Sequence, residues 1–131
     1  MIYQFNISTK ERYQLVDITD KIEDLVLKSE INNGSVFVFL PHSTAAIILT
    51  ENERGLKKDW LDFAKKLVSG FNFEHDLIDN NADSHILSGL LGQGKTLPFK
   101  NKKILRGTWQ QIFLFELDGP KNRTVIIQIN Q

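Results

Sequence analysis

The stretch Val36–Thr50, VFVFLPHSTAAIILT, decides the fold. Val36 to Leu40 is a continuous run of β-branched, aromatic and aliphatic side chains, which reads as a strand buried on both sides. Pro41 ends it, because proline has no N–H to give to a ladder. After a very short turn, Ala45–Thr50 (AAIILT) reads as a second apolar strand. His42 stands at the mouth between them, and Glu51 follows the second. Two buried strands ending in polar residues can present side chains from a rigid scaffold. The stretch therefore predicts part of the core and one edge of a site.

Towards the N-terminus, Ile2, Gln4 and Asn6 alternate with Tyr3, Phe5 and Ile7, the period of a strand. Tyr13–Ile18 is a second, shorter candidate. Thr19 or Asp20 is placed to cap a helix, with Glu23 completing a capping box. Ile22, Leu25, Val26 and Ser29 share a face of that helix, and Asn33-Gly34 stops it.

Towards the C-terminus, Leu56, Trp60, Phe63, Ala64 and Leu67 recur at helical spacing, with Lys57, Lys58, Lys65 and Lys66 on the solvated side. Ser69-Gly70 closes this helix. Another starts at Asp83 or Ser84, runs through Ile86, Leu87, Leu90 and Leu91, and ends at Gly92 and Gly94. Lys95–Phe99 and Lys103–Arg106 read as short strands around Asn101. Gly107-Thr108-Trp109-Gln110 introduces a longer strand, 111–117. Asp118-Gly119-Pro120 is a turn, after which Arg123–Asn130 returns antiparallel to its neighbour. Strands dominate both ends and do not alternate regularly with the helices between them, which selects an α+β class.

The chain's 131 residues suit one domain, 1–131. No cysteine is present, so there is no disulfide, thiolate metal site or cysteine nucleophile, and a reducing, cytoplasmic setting is expected. Sixteen basic residues balance sixteen acidic ones, which argues against a general nucleic-acid or membrane-surface binder. No apolar run approaches the roughly 20 residues a bilayer needs. The start, MIYQFNISTKERYQL, lacks the pattern of a secretory signal.

The chemistry-bearing residues centre on EHDLIDNNADSHI, residues 74–86. This stretch carries His75 and His85, and His42 is the third histidine of the chain. Three neutral imidazoles can hold a catalytic zinc that keeps a fourth position open. The expected cofactor is therefore a divalent metal, zinc first and magnesium second, on His42, His75 and His85. The spacing contains no His-Glu-x-x-His motif, so ordinary hydrogen-bonded histidines are the alternative. Asp76, Asp79 and Asp83 can orient an imidazole or move a proton, or simply cap a helix. Glu51 and Glu116 are carboxylates at or inside apolar strands, which points to a site or a buried pair. GLLGQGKT, residues 89–96, matches the letters of a phosphate loop, but it follows a helix where that loop should follow a strand. Its glycines read better as a helix end. Trp109 reads as packing, since no basic and aromatic interleaving surrounds it.

Several motifs occur together: His42-Ser43-Thr44-Ala45-Ala46, Thr50-Glu51-Asn52, His75-Asp76, Asn81-Ala82-Asp83-Ser84-His85, Gly107-Thr108-Trp109-Gln110 and Glu116-Leu117-Asp118-Gly119-Pro120. In this order the chain resembles the YjbQ-like family over nearly its whole length. The resemblance implies a sandwich of mainly antiparallel sheets with two to three inserted helices, and a homotrimer. It implies a site at His42, His75 and His85, metal-bearing in some relatives. Glu51, Asp83 and Glu116 are the candidate catalytic residues, and Ser43, Thr44, Thr108, Trp109 and Gln110 the candidate substrate contacts. The activity it implies is a secondary thiamine-phosphate synthase acting on small phosphorylated metabolites. A non-catalytic, metal- or metabolite-binding trimer is the alternative. Thr50, Arg54-Gly55, Asn80 and Lys121 depart from the usual family residues without removing a histidine.

Overall fold

The period-two segments pair into two antiparallel sheets in a computed structural model that describes residues 1–131. The elements are β1 (Ile2–Ser8), β2 (Gln14–Asp17), α1 (Thr19–Lys28), β3 (Gly34–Phe39), β4 (Ala45–Thr50) and α2 (Arg54–Val68). A short 3-10 helix (Glu74–Leu77), α3 (Ala82–Leu91), β5 (Gly94–Lys100), β6 (Lys103–Ile104), β7 (Gln111–Glu116) and β8 (Asn122–Asn130) follow. The larger sheet has the order β1-β8-β3-β5-β6 and the smaller β2-β7-β4. Every strand pair is antiparallel. The α+β class and the sandwich are as expected.

One core lies between the sheets. Val36, Val38, Val125, Ile127 and Ile129 of the larger sheet meet Ile47, Ile112 and Leu114 of the smaller, and Ile22 and Val26 of α1 join them. On the far face of the smaller sheet, Ala46, Ile48, Phe113 and Phe115 pack under Trp60, Leu61, Ala64 and Val68 of α2 and Leu87 and Leu91 of α3. Both faces of the smaller sheet are thus covered, which is why β4 and β7 read as unbroken apolar runs. β3 differs from the expectation of two-sided burial. Its Val36 and Val38 are buried, whereas Phe37 and Phe39 lie half-buried on the outer face, stacked with centroids 5.7 Å apart.

Two of the short polar connections that cross from one sheet to the other bear on the site. Residues 41–44 carry the chain from β3 in the larger sheet to β4 in the smaller. Residues 117–121 carry it back from β7 to β8. β8 accordingly pairs with β1 and β3 and not with the strand before it. Gly119 sits in this second crossing, where a Cβ would stand 2.1 Å from the Glu11 carbonyl oxygen; no side chain fits there.

The helices are where expected but differ in detail. Asp17 caps α1, accepting from the Thr19 N–H at 2.9 Å and from its hydroxyl at 2.6 Å. Glu23 pairs with Arg106 at 2.9 Å instead of closing a capping box. α1 stops at Ser29, and Gly34 belongs to β3. α2 is rotated from the predicted face: Leu61 and Val68 turn inward, while Phe63 and Leu67 are exposed. In α3 the buried side includes hydroxyls. Ser84 donates to the Leu117 carbonyl at 2.5 Å and Ser88 to the Ala45 carbonyl at 2.6 Å. These two bonds turn Ile86 and Leu90 outward, where they are exposed.

Candidate functional site

The end of the sandwich that holds both crossings is the polar end. The 3-10 helix and the first turn of α3 bring His75 and His85 into edge-to-face contact, with ring centroids 5.0 Å apart. Ring faces and edges attract in this arrangement. His75 Nε2 lies 2.8 Å from Asn81 Oδ1. The buried Asn81 donates through Nδ2 to Asp118 Oδ2 at 3.0 Å, and Lys121 Nζ donates to the same oxygen at 2.7 Å. Burial alone would raise the Asp118 carboxyl; the bonds from Asn81 and Lys121 overcome it and hold the group below its ordinary range. Asp76 caps α3 by accepting from the Ala82 N–H at 3.0 Å, a favourable place for a carboxylate.

Asp83 faces away from the imidazoles. It accepts from Arg12 at 2.9 Å and from the Tyr13 hydroxyl at 2.7 Å, in a cleft of about 600 Å³ also lined by Leu61, Lys65 and Val68. Burial, and then the hydrogen bond to Asp83, push the Tyr13 phenol up, so it stays a donor.

His42 lies at the same end, turned towards β8. The Thr124 backbone N–H donates to its Nε2 at 2.9 Å. Burial, then the Arg123 guanidinium, hold this imidazole below its ordinary value. His42 is therefore neutral at pH 7, carries its proton on Nδ1, and has its Nε2 lone pair engaged by the backbone.

Glu116 is fully buried and paired with Arg123, which also donates to the Thr44 carbonyl at 3.0 Å and hydroxyl at 2.9 Å. Thr9 donates to Glu116 Oε1 at 2.8 Å, and the N–H groups of Leu117 and Asp118 donate to Oε2 at 3.0 Å. Burial alone would raise this carboxyl; Arg123, the Asp118 N–H and Thr9 overcome it and hold the group below its ordinary range. Ser43 is exposed at the crossing, whereas Thr44 is buried against Arg123.

The remaining candidates lie at the other end of the smaller sheet. Gln111 stands opposite Thr50 in the ladder and Glu116 opposite Ala45. At roughly 3.4 Å per residue, the Glu51 and Thr108–Gln110 end is about 17 Å along the strands from the crossings. There Gln110 Oε1 accepts from the Gly107 N–H at 2.7 Å, and Arg106 donates to the Gln110 carbonyl at 2.8 Å. This folds the loop on itself and leaves Trp109 70% exposed. GLLGQGKT ends α3 at Gly92 and enters β5, with Lys95 Nζ donating to the Leu91 carbonyl at 3.1 Å. It makes no strand-to-helix phosphate loop. Asn81, Asp118, Lys121 and Arg12 received no roles from the sequence, although a lysine three residues after Asp118 in a turn was a readable pairing signal.

These geometries do not fit the expected three-histidine metal. No group of three His, Asp or Glu side chains comes together to hold an ion. His75 has one nitrogen on Asn81 and His42 has one under a backbone N–H, so only the His75–His85 pair is joined.

Residues 3–131 match the UPF0047 YjbQ-like family. The chain belongs to that family. It is 41% identical to a UPF0047 protein of Archaeoglobus fulgidus over 126 residues, covering 95% of this chain and 98% of the relative. It is 31% identical to UPF0047 protein YugU of Bacillus subtilis, covering 98% of each. Among solved structures, a YbjQ-like protein of unknown function from Sulfolobus solfataricus superposes with a TM-score of 0.96 at 43% identity, covering 98% of this chain and 95% of that one. These relatives are described as UPF0047 or YjbQ-like proteins and by no activity. The expectation of a three-histidine metal enzyme with thiamine-phosphate synthase activity is therefore corrected, as is a binding protein built on that metal centre. The ligand cage does not form, and the relatives carry no such assignment.

Proposed function

We propose that the polar end of this YjbQ-like chain is a general acid–base site built on the His75–His85 pair. The observation that carries this reading is two imidazoles in edge contact, with His75 held by the buried Asn81. Imidazole moves protons near neutral pH and works best when a hydrogen bond fixes its orientation. A small phosphorylated metabolite is the proposed ligand. Lys121 and Arg12 supply positive charge nearby, and Asp76, Asp83 and Asp118 each already accept from a donor. Repulsion of an incoming anion by these carboxylates is correspondingly reduced.

The reading extends to assembly. Leu77 and Ile78 are 90% and 86% exposed beside the histidines, and Ile86 and Leu90 of α3 are exposed too. Exposed large apolar side chains can mark an interaction site, and copies of this chain in a homotrimer are the proposed occupants. A cytoplasmic setting is proposed on the lack of cysteine; no helix is long and apolar enough to cross a membrane.

The test is a titration with inorganic phosphate and with pyrophosphate, followed by ring ¹H–¹⁵N spectra of the three histidines. Saturable shifts at His75 and His85 that exceed those at His42 are expected. The absence of any saturable shift at His75 and His85 overturns the ligand class. Light scattering on wild type and on Leu90→Lys tests the assembly: three copies falling to one supports it, and a monomeric wild type ends it.

A further inference from the structure

We infer that Asp118 and Asn81 are positioning residues that lock neutral His75 as the Nε2–H tautomer, leaving Nδ1 as its free lone pair. The inference rests on the acid–base reading for its purpose but not for its geometry.

Asp118 is held ionised by Lys121 and Asn81. An ionised carboxylate only accepts hydrogen bonds. The Asn81 group facing it at 3.0 Å must therefore be the NH₂. Flipping the amide would set two oxygens against each other in a buried place, since Asn81 is only 7% exposed. With the NH₂ directed at Asp118, Oδ1 is fixed towards His75 Nε2 at 2.8 Å. Oδ1 can only accept, so Nε2 must carry the proton. The second ring nitrogen of neutral His75 is then an acceptor.

His42 is set the opposite way by the same logic. The Thr124 N–H can only donate, and it points at Nε2 from 2.9 Å. The two histidines at one end of the fold are therefore held as opposite tautomers. The His75 tautomer is set by a side-chain relay and the His42 tautomer by the main chain. A general base needs such a fixed acceptor nitrogen. Asp118 never touches the imidazole; it acts through Asn81.

Long-range ¹H–¹⁵N spectra of the histidine rings, recorded without ligand where the rings are neutral, test this directly. The expected result is Nε2 protonated on His75 and Nδ1 protonated on His42. Asp118→Asn removes the acceptor-only partner and lets the Asn81 amide turn over. His75 should then lose its single tautomer and show averaged ring shifts, with His42 unchanged. Lys121→Met keeps the carboxylate and should keep the His75 tautomer, which separates orientation from general loosening. Should Asp118→Asn fail to fold, wild type and Lys121→Met still decide the matter. A His75 protonated on Nδ1 overturns the inference, as does an unchanged tautomer in a folded Asp118→Asn. A confirmed tautomer with no phosphate or pyrophosphate response would sink the proposed ligand class and leave the positioning pair standing.

Discussion

Glu116 and Asp118 are two residues apart at one crossing, and their surroundings are opposite. Glu116 is wholly buried, and both oxygens are filled by Arg123, Thr9 and two backbone N–H groups. Asp118 is at the boundary with solvent and passes its charge through Asn81 to an exposed histidine loop. The difference separates scaffold from chemistry. A carboxylate with every acceptor site filled in the interior holds two sheets together. One that directs an amide at an imidazole sets up reactivity at the surface.

The largest effect is expected from breaking the interior pair. Arg123→Met leaves Glu116 buried without its counter-charge, and should cost about 3–5 kcal/mol in a denaturant titration. Combining it with Glu116→Leu should recover much of that loss, because well-packed apolar groups often replace a buried pair at little cost. A double variant as unstable as Arg123→Met would show that the pair does more than neutralise itself. The two carboxylates set a pH dependence. The folded pKa values of Glu116 and Asp118 are both depressed. Their stabilisation is fully present above the ordinary carboxylate pKa and is lost as pH falls through the depressed folded values. Denaturation midpoints should drop on acidification, less steeply in the double variant.

A smaller effect is expected at α3. Ser88→Ala leaves the buried Ala45 carbonyl without the hydroxyl at 2.6 Å, for about 1–2 kcal/mol by thermal or chemical unfolding. The smallest belongs to the open side. Lys121→Met removes an ion pair whose lysine is 44% exposed, so stability should move by under about 1 kcal/mol. A loss as large as that of Arg123→Met would erase the distinction between the two regions.

Much of the fold was legible because it depends on local pattern. Val36–Leu40 and Ala45–Thr50 are strands, and the glycines after Leu91 end a helix, as their composition dictates. The crossings were not legible. Turn chemistry at Asp118-Gly119-Pro120 says that the chain reverses, but which sheet receives β8 depends on packing far along the chain. Nor could the sequence say which side of α3 is buried, because Ser84 and Ser88 find strand carbonyls that sequence spacing does not display. His42, His75 and His85, grouped by residue type, do lie at one end of the fold. Their convergence on one ion depends on side-chain direction, and each of two imidazoles was already committed to a different partner. Glu51 and Thr108–Gln110 sit at the far end because strand length, not motif order, sets distance.

The most direct test of the central claim, that His75 and His85 form a pair to which His42 does not belong, is a zinc titration of tag-free protein read by the histidine ring ¹H–¹⁵N spectra. The account predicts that any response is confined to His75 and His85, with His42 still Nδ1-protonated and bonded to Thr124. All three rings shifting together and saturating at one equivalent of zinc would contradict it.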